Sequence, residues 1–210
     1  MSPQSEPPIV YVVDDDPALC RSLRFLLESV GLTVQLFASA TEFLPVARVM
    51  TRPCCLLLDI RMPGMSGLEM QQVLLERGFA IPILFMTGHA DVSMAVQALK
   101  SGAFDFIEKP FNDQKMMDAV AAALRKCADT LEETQFRNAA QLALTHLSPR
   151  EREVAQLVAQ GRPNKLIASA LNISEKTVHI HRQHVMEKAG ISSAAELARL
   201  MLRANPDALG

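Results

Sequence analysis

Five polar side chains of the amino-terminal half follow apolar runs, where they could share one site. Asp14 and Asp15 come after the first run, Asp59 ends the third, Thr87 ends the fourth and Lys109 follows the fifth. If these runs are parallel strands, their carboxyl ends meet at one edge of a sheet, where such folds bind ligands. Carboxylates that lie close together repel one another unless a cation or a proton relieves them. We therefore expect carboxylates, a hydroxyl and an ammonium in one crevice.

This set of side chains is suited to phosphoryl transfer. Mg²⁺ prefers oxygen ligands, and it takes one or two carboxylates together with waters and a phosphate. Asp59 could then attack phosphorus and form an acyl phosphate. The cation and Lys109 would neutralise the phosphoryl oxygens, and Thr87 would donate a hydrogen bond to one of them. A simpler alternative for the first acidic cluster is that Asp16, followed by Pro17, only caps a helix.

The elements that must position these side chains alternate along residues 9–110. Short apolar runs predict strands that are buried on both faces, and the amphipathic stretches between them predict helices. Five such units predict an α/β doubly wound, five-stranded parallel sheet with helices on both sides. The predicted strands are 9–13, 33–37, 54–58, 83–86 and 104–107, and the predicted helices are 16–29, 39–49, 66–77, 91–101 and 112–126.

The carboxyl-terminal part lacks strand-like runs and predicts a small all-α domain. Ser148 and Glu151 have the spacing of a capping box, with Pro149 at the first helical position. Helical patterns cover 148–160, 164–171, 175–189 and 193–203. Between this part and the sheet, residues 127–145 are polar and contain no glycine or proline. Either the preceding helix continues through them or a second helix begins there.

Residues 164–189 predict two helices joined by a tight turn, with a stripe of the second helix facing the core. That stripe contains Val178, His181 and Val185, and we expect His181 to be a hydrogen-bonded core histidine. Such a pair of helices presents polar side chains to DNA in helix-turn-helix proteins. Any small helical bundle would have a similar solvated face. The outward side chains are Lys176, His179, Ile180, Gln183 and Glu187.

Composition and charge exclude several classes of protein. The chain has 210 residues, 49% of them hydrophobic, which favours two folded domains over disorder. Its net charge of −2 combines −3 over residues 1–126, −2 over 127–145 and +3 over 146–210. Its four cysteines form no CxxC pair, so reduced, buried thiols are expected. No apolar run is long enough for a membrane span and no signal peptide is apparent, so we expect a cytoplasmic protein.

Four motifs resemble those of response-regulator receiver domains. They are VVDDD at 12–16, LLDIRMPGMSGLE at 57–69, FMTGHAD at 85–91 and FDFIEKPF at 104–111. The resemblance implies that Asp59 receives a phosphoryl group from the phosphohistidine of a sensor histidine kinase. It also implies that Asp15, Asp59 and the backbone carbonyl of Arg61 bind Mg²⁺ or Mn²⁺ directly, while Asp14 acts mainly through water.

The same resemblance implies a conformational switch. Thr87 would move toward the phosphoryl oxygens, Phe106 would rotate into the vacated space, and Lys109, in a cis bond to Pro110, would pair with the phosphate. The face formed by about 91–125 would change shape and form a homodimer. Arg61 and His89 flank the site and could tune the lifetime of the phosphate, although a plain surface role suits His89 equally well.

Residues 146–205 resemble the LuxR-type helix-turn-helix domain. The motifs are LSPREREVAQLVAQG at 147–161, NKLIA at 164–168 and TVHIHRQHVMEKAG at 177–190. By position, the resemblance implies that His179, Ile180 and Gln183 approach base edges, and that phosphates are contacted by Lys165, Thr177, Arg182 and Lys188. Relatives often have lysine where this chain has His179 and Gln183, which predicts fewer charged contacts.

Taken together, the chain resembles a FixJ-type response regulator. The expected parts are a receiver over 8–126, a helical linker over 127–145 and a DNA-binding domain over 146–205. The expected partners are a sensor histidine kinase, promoter DNA, RNA polymerase and a second copy of the chain, with an activating role and no membrane.

Two alternatives remain at this point. One is a phosphorelay or protein-binding regulator whose helical domain contacts protein. The other is an aspartyl-phosphate phosphatase, but such an enzyme needs a second catalytic aspartate two residues after the nucleophile, where this chain has Arg61. We therefore expect a protein that accepts a phosphoryl group on itself and does not turn over a substrate.

Overall fold

The computed structural model describes residues 7–47, 51–88 and 92–208. It divides into two compact units between Leu131 and Glu132. That division lies inside the segment predicted to be a linker. No helix in the described ranges is both long and apolar enough to cross a membrane.

The first unit is built on a parallel five-stranded sheet of order β2-β1-β3-β4-β5. All five predicted strands are present, to within a residue at their ends. The strands are β1 (Ile9–Val13), β2 (Thr33–Phe37), β3 (Cys54–Asp59), β4 (Ile83–Thr87) and β5 (Asp105–Glu108), and the helices are α1 (Pro17–Ser29), α2 (Ala40–Phe43), α3 (Gly67–Glu76), α4 (Val92–Lys100) and α5 (Asp113–Thr145).

The sheet is buried on both faces, as the apolar runs predicted. Successive side chains of a strand point to opposite faces. In β3, Leu56 and Leu58 therefore belong to one core, while Cys55 and Leu57 belong to the other. All six residues of β3 are buried. The central strand thus carries Asp59, at its carboxyl end, on a support that is rigidly packed from both sides.

Two helices differ from the prediction. The helix expected over 39–49 ends after Phe43, because Pro45, which follows the helical C-cap residue Leu44, has no N–H to continue the backbone hydrogen bonds. Residues 48–50 lie outside the described ranges, as does position 91 at the expected start of α4. In contrast, α5 runs without a break from Asp113 to Thr145. The first of the two options for residues 127–145, a continuing helix, is therefore confirmed.

The second unit is all-helical. Its helices, following the end of α5, are α6 (Pro149–Ala159), α7 (Asn164–Leu171), α8 (Glu175–Ala189) and α9 (Ala194–Ala204). Ser148 and Glu151 form the predicted capping box at the start of α6. A core that includes Val154, Ile167 and Val185 holds the helices together. This core fixes α7 and α8 relative to each other.

Candidate phosphoacceptor site and nucleic-acid interface

Asp59 lies at the carboxyl end of β3 and is held from two sides. Its side chain is only 12% exposed. One carboxylate oxygen accepts a hydrogen bond from Lys109 Nζ at 2.5 Å, and the other accepts one from the backbone N–H of Arg61 at 2.7 Å. Burial raises the pKa of Asp59, and this effect outweighs the hydrogen bonds, which lower it. The carboxylate is therefore fixed in orientation and only partly stabilised as an anion.

Lys109 joins the ends of three strands. Its Nζ donates to Asp14 Oδ2 at 2.8 Å as well as to Asp59 Oδ1, and its backbone N–H donates to Thr87 O at 2.6 Å. Burial alone would lower the pKa of Lys109, but the hydrogen bonds to Asp14 and Asp59 raise it overall. The ammonium thus remains charged between the two carboxylates. The peptide bond from Lys109 to Pro110 is cis, as the resemblance implied.

The remaining predicted residues lie around this centre at different depths. Asp14 is 2% exposed and Thr87 is 1% exposed, whereas Asp15 is on the surface. The Thr87 hydroxyl donates to Gly88 O at 3.4 Å. Phe106 is half-buried and pairs with Phe85 across the sheet. His89 lies outside the described residues.

The oxygen-rich donor set of this site fits a small divalent cation. Asp14 and Asp59 share the single ammonium of Lys109, so their combined charge remains negative even before Asp15 is counted. Within the described residues, no three histidine, cysteine or acidic side chains converge as a metal cage. A cation here would therefore take one or two carboxylates and complete its coordination with a carbonyl and waters, which is typical of Mg²⁺.

Gly67, at the start of α3, packs against the backbone of Asp59 and was not among the predicted site residues. A Cβ atom at this position would lie 2.2 Å from the backbone oxygen of Asp59. The Gly67 N–H donates to Ile60 O at 2.9 Å, so α3 begins in direct contact with the backbone that follows Asp59. Its place directly after the capping residue Ser66 is the one signal that could have drawn attention to it.

We expect Gly67→Ala to move the phosphoacceptor. The added methyl group cannot fit against the Asp59 carbonyl, so the backbone must shift, at a cost of about 1–3 kcal/mol in the free energy of unfolding. Urea unfolding should record this loss, together with slower phosphoryl uptake. Gln72→Ala, on the exposed side of the same helix, is the control and should change the free energy of unfolding by less than about 0.5 kcal/mol. Equal stabilities of the two variants would refute the close contact.

The helix-turn-helix geometry is present in α7 and α8. Asn172 ends α7 in the left-handed conformation, with φ of 53°, and Ser174 caps α8 by accepting from the Thr177 N–H at 3.0 Å. Val178 and Val185 are buried, as predicted for the stripe that faces the core. The predicted DNA contacts that lie exposed are Lys165, Lys176, His179, Ile180, Gln183 and Lys188.

Three predicted phosphate contacts already have partners inside the domain. The Thr177 hydroxyl is hydrogen-bonded to Ser174, and Arg182 donates to Asn164 Oδ1 at 3.0 Å. Lys188 Nζ donates to both carboxylate oxygens of Glu151, at 2.9 and 2.7 Å. Any phosphate contact by these groups must share or replace a bond that is present in the free protein.

The expectation of a hydrogen-bonded His181 was wrong for one ring nitrogen. The residue is half-buried on the predicted stripe, but its Nδ1 atom is buried and has no hydrogen-bond partner among the described residues. The reason is that the stripe is otherwise apolar: its other members, Val178 and Val185, are about one helical turn before and after His181, and their side chains offer no donor or acceptor.

Glu151 has a larger role than the capping box predicted. Its side chain is 5% exposed and joins the start of α6 to Lys188 near the end of α8, while His184 Nδ1 lies 3.7 Å from Oε1. The hydrogen bond from Lys188 and those from Ser148 lower the pKa of Glu151 to about 2. The sequence offered no sign of this pair, because its members are 37 residues apart.

The fold and the two sites define a regulatory protein that joins a phosphoacceptor domain to a helix-turn-helix domain. Residues 10–121 match the response regulator receiver domain, and residues 145–201 match the luxR family of bacterial regulatory proteins. The chain belongs to the two-component response regulators that have a LuxR-type DNA-binding domain, and it is a transcriptional regulator.

Individual response regulators are similar to this chain over most of their length. The transcriptional regulatory protein FixJ of Azorhizobium caulinodans is 44% identical, with 96% of this chain and 94% of FixJ covered. The response regulator protein TmoT of Ectopseudomonas mendocina is 42% identical, with 93% of this chain and 88% of TmoT covered. Among solved structures, the response regulator StyR is 40% identical and superimposes with a TM-score of 0.84, covering 93% of this chain and 98% of StyR.

Proposed function

We propose that Asp59 accepts a phosphoryl group from the phosphohistidine of a sensor histidine kinase. A carboxylate oxygen of Asp59 attacks phosphorus, the P–N bond to histidine breaks, and the imidazole leaves with its electron pair. The observation that carries this proposal is the buried Asp59 carboxylate, which is held by Lys109 and by the Arg61 N–H. These two contacts orient the nucleophile and place a positive charge beside the incoming oxygens.

The proposed cofactor is Mg²⁺ or Mn²⁺. Asp15, Asp59 and the Arg61 carbonyl would hold it directly and Asp14 through water, and the bound ion would neutralise charge on the phosphoryl oxygens. Two observations support direct binding by Asp15 and indirect binding by Asp14: Asp15 is exposed, whereas Asp14 is buried and already accepts a hydrogen bond from Lys109. The chain modifies itself and does not turn over a substrate, because the position two residues after Asp59 is Arg61 rather than a second acid.

Phosphorylation would then switch the shape of the first domain. A phosphoryl group on Asp59 attracts the Thr87 hydroxyl, which is bound weakly to Gly88 in the structure. Phe106, on the neighbouring strand, is partly buried and can rotate inward when Thr87 moves. The surface over about 91–125 changes shape as a result, and two phosphorylated copies pair through it. The phosphoryl group shifts this equilibrium only by its different affinity for the two conformations.

The paired copies would bind promoter DNA. In each, His179, Ile180 and Gln183 would approach base edges, and Lys165, Lys176, Thr177, Arg182 and Lys188 would lie near phosphates. Phosphate contacts provide the salt-dependent part of the affinity, and base contacts provide the specificity. A domain with a net charge of +3 binds weakly as a single copy, so pairing on a two-fold-related site raises its effective concentration. We infer activation through RNA polymerase, and the DNA target places this action in the cytoplasm.

The experiment that tests the proposal compares the full chain before and after treatment with acetyl phosphate and Mg²⁺. Sedimentation should show a shift from monomer to dimer. When genomic DNA fragments of the host are selected for binding, only the phosphorylated protein should recover a site with two half-sites related by two-fold symmetry. The amount of DNA retained should fall as the salt concentration rises. If the phosphorylated protein still sediments as a monomer and retains DNA no better than the untreated protein, the proposed switch is overturned. Retention of a protein partner by the helical domain, with no DNA retained at low salt, would favour the protein-binding alternative.

We expect Lys109→Ala to accept the phosphoryl group but not to form the dimer. Asp59 remains available as the nucleophile, but the ammonium that would pair with the phosphate, and that links Asp59 to Asp14, is lost. Phosphoryl incorporation and sedimentation should be measured on the same sample. Lys126→Ala, an exposed lysine of α5 outside the proposed dimer face, is the control and should pair normally. Normal pairing by Lys109→Ala would contradict the assigned role.

A further inference from the structure

Two cysteines from distant parts of the chain face each other in the first domain. Cys54 begins β3, and Cys127 lies in α5, 73 positions later. Their Sγ atoms are 4.0 Å apart, and the two residues are 3% and 1% exposed. The bond length of a disulfide is about 2.05 Å, so the sulfurs would have to approach by roughly 2 Å. Both belong to the same core cluster, so no rearrangement of domains is needed to join them.

The two sulfurs differ in their hydrogen bonds. The backbone N–H of Cys54 donates to Cys127 Sγ at 3.2 Å, so Cys127 is the acceptor of the pair. The hydrogen bonds with the thiol and the backbone N–H of Cys54 lower the pKa of Cys127 against the effect of burial. The thiol hydrogen bond between the two residues and burial raise the pKa of Cys54. Because the backbone N–H of Cys54 would stabilise a thiolate on Cys127, and the thiolate is the reactive form of cysteine, we assign Cys127 as the nucleophile of the pair.

We propose that Cys54 and Cys127 form an oxidation-sensitive dithiol that closes to a disulfide when the protein meets a hydroperoxide. The Cys127 thiolate attacks a peroxide oxygen, the O–O bond breaks, and a sulfenic acid forms, while the other oxygen leaves as hydroxide or alkoxide and takes up the proton that Cys127 had released, to give water or an alcohol. Cys54 sulfur then attacks the Cys127 sulfur, the S–O bond breaks, and water leaves with the Cys54 proton. The two thiols lose two electrons, which the peroxide gains.

The position of the pair gives such a bond a structural consequence. Cys127 lies four residues before Leu131, where the first compact unit ends within the continuous helix α5. A disulfide would tie this part of α5 to the first residue of β3. A groove of about 430 Å³ has Lys126 and Thr130, neighbours of Cys127 along α5, in its lining, and neither cysteine lines it. Because both sulfurs are buried, their reaction with a peroxide requires local opening of this part of the core.

The other two cysteines serve as internal controls. Cys55 is next to Cys54 but points to the opposite face of the sheet and belongs to the other core cluster. Cys20 lies in α1, where its thiol donates to the Asp14 carbonyl at 3.4 Å. Burial, with Asp14 nearby, raises the pKa of Cys20 to about 11, so this thiol is a poor nucleophile. A non-specific oxidation would modify all four cysteines to similar extents. The proposed mechanism instead predicts that only Cys54 and Cys127 are oxidised.

The test treats the full chain with hydrogen peroxide, blocks remaining thiols under denaturing conditions and maps peptides without reductant. The number of thiols should fall from four to two, a Cys54–Cys127 linked peptide should appear, and dithiothreitol should restore all four. Cys55→Ser should still form the link, which separates Cys54 from its neighbour in the same peptide. The proposal is overturned if four thiols remain, or if the link persists in Cys54→Ser.

Two further measurements test the order of steps and the consequence. Dimedone should label Cys127 in Cys54→Ser but leave Cys54 unlabelled in Cys127→Ser, and the reverse pattern would refute Cys127 as the nucleophile. Amide exchange around residues 124–131 of α5 should slow in the oxidised chain, and equal exchange in both states would refute the clamp. The Asp59→Asn variant should form the disulfide as readily as the wild type, so a failure of the proposed phosphorylation would leave this result unaffected.

Discussion

Replacing Asp59 with asparagine is expected to abolish phosphoryl uptake from acetyl phosphate in the presence of Mg²⁺. The wild-type chain should gain one phosphoryl group per molecule, detectable as an intact mass increase. An amide has no anionic oxygen with which to attack phosphorus, while its shape and its place between Lys109 and the Arg61 N–H are kept. The effect is therefore a loss of reaction rather than a loss of fold.

The control for this experiment is Asp16→Asn. Asp16 is exposed beside the site and accepts from the N–H groups of Ala18 and Leu19 at the start of α1. Asparagine caps helices as well as aspartate does, so this variant should gain a phosphoryl group normally. A phosphorylated product in the Asp59→Asn variant, or equal losses in both variants, would refute Asp59 as the acceptor.

Replacing Glu151 with glutamine is expected to lower the free energy of unfolding of the helical domain by about 2 kcal/mol at neutral pH. Glutamine can still complete the capping box at Ser148, but it brings an amide instead of a carboxylate to Lys188 Nζ, which lies 2.7 Å from Glu151 Oε2. The loss is limited because the Lys188 side chain is 42% exposed and water screens part of its charge.

The effect of this variant should depend on pH in a defined direction. The pKa of Glu151 is lowered to about 2 in the folded protein, against an ordinary value of 4.5. Its contribution is therefore fully present above about pH 4.5 and is lost as the pH falls toward 2. Urea unfolding of the full chain, followed by resonances of α6 and α8, should show wild type and Glu151→Gln converging at low pH.

The exposed ion pair on the same helix offers a matched control. Arg150 Nη1 and Glu153 Oε2 are 2.6 Å apart, but Glu153 is 52% exposed. Glu153→Gln should lower the free energy of unfolding by less than about 0.5 kcal/mol at neutral pH. A Glu151→Gln variant as stable as Glu153→Gln at neutral pH would show that the buried pair does not stabilise the domain.

The meeting of two carboxylates with Lys109 could be predicted from sequence because topology brings strand ends together. Asp14, Asp59 and Lys109 are up to 95 residues apart, yet each follows an apolar run, and parallel strands place these positions at one edge. Gly67 could not be predicted in the same way. Its importance depends on the backbone oxygen of Asp59, which would lie 2.2 Å from a Cβ atom added at Gly67, and no local pattern encodes that distance.

Residues 127–145 show more clearly than Gly67 what a local sequence pattern cannot predict. Residues 127–145 contain no glycine or proline, which permitted a helix but could not decide between one helix and two. In α2, by contrast, Pro45 ended the helix early, so the amphipathic pattern that continues beyond this proline predicted too long a helix. A helix persists where its backbone N–H groups find partners, and its length is set by those bonds as much as by side-chain periodicity.

The sequence by itself determined the order of strands and helices, the side chains at the phosphoacceptor edge and the two-domain character of the chain. These follow from burial periodicity and from residue types at element ends, which are local properties. The tertiary structure alone decided two contacts across long separations: Lys188 with Glu151, and Cys54 with Cys127. The reason is that such contacts depend on how packed elements face one another, and a distance of a few ångströms between side chains is a property of that packing.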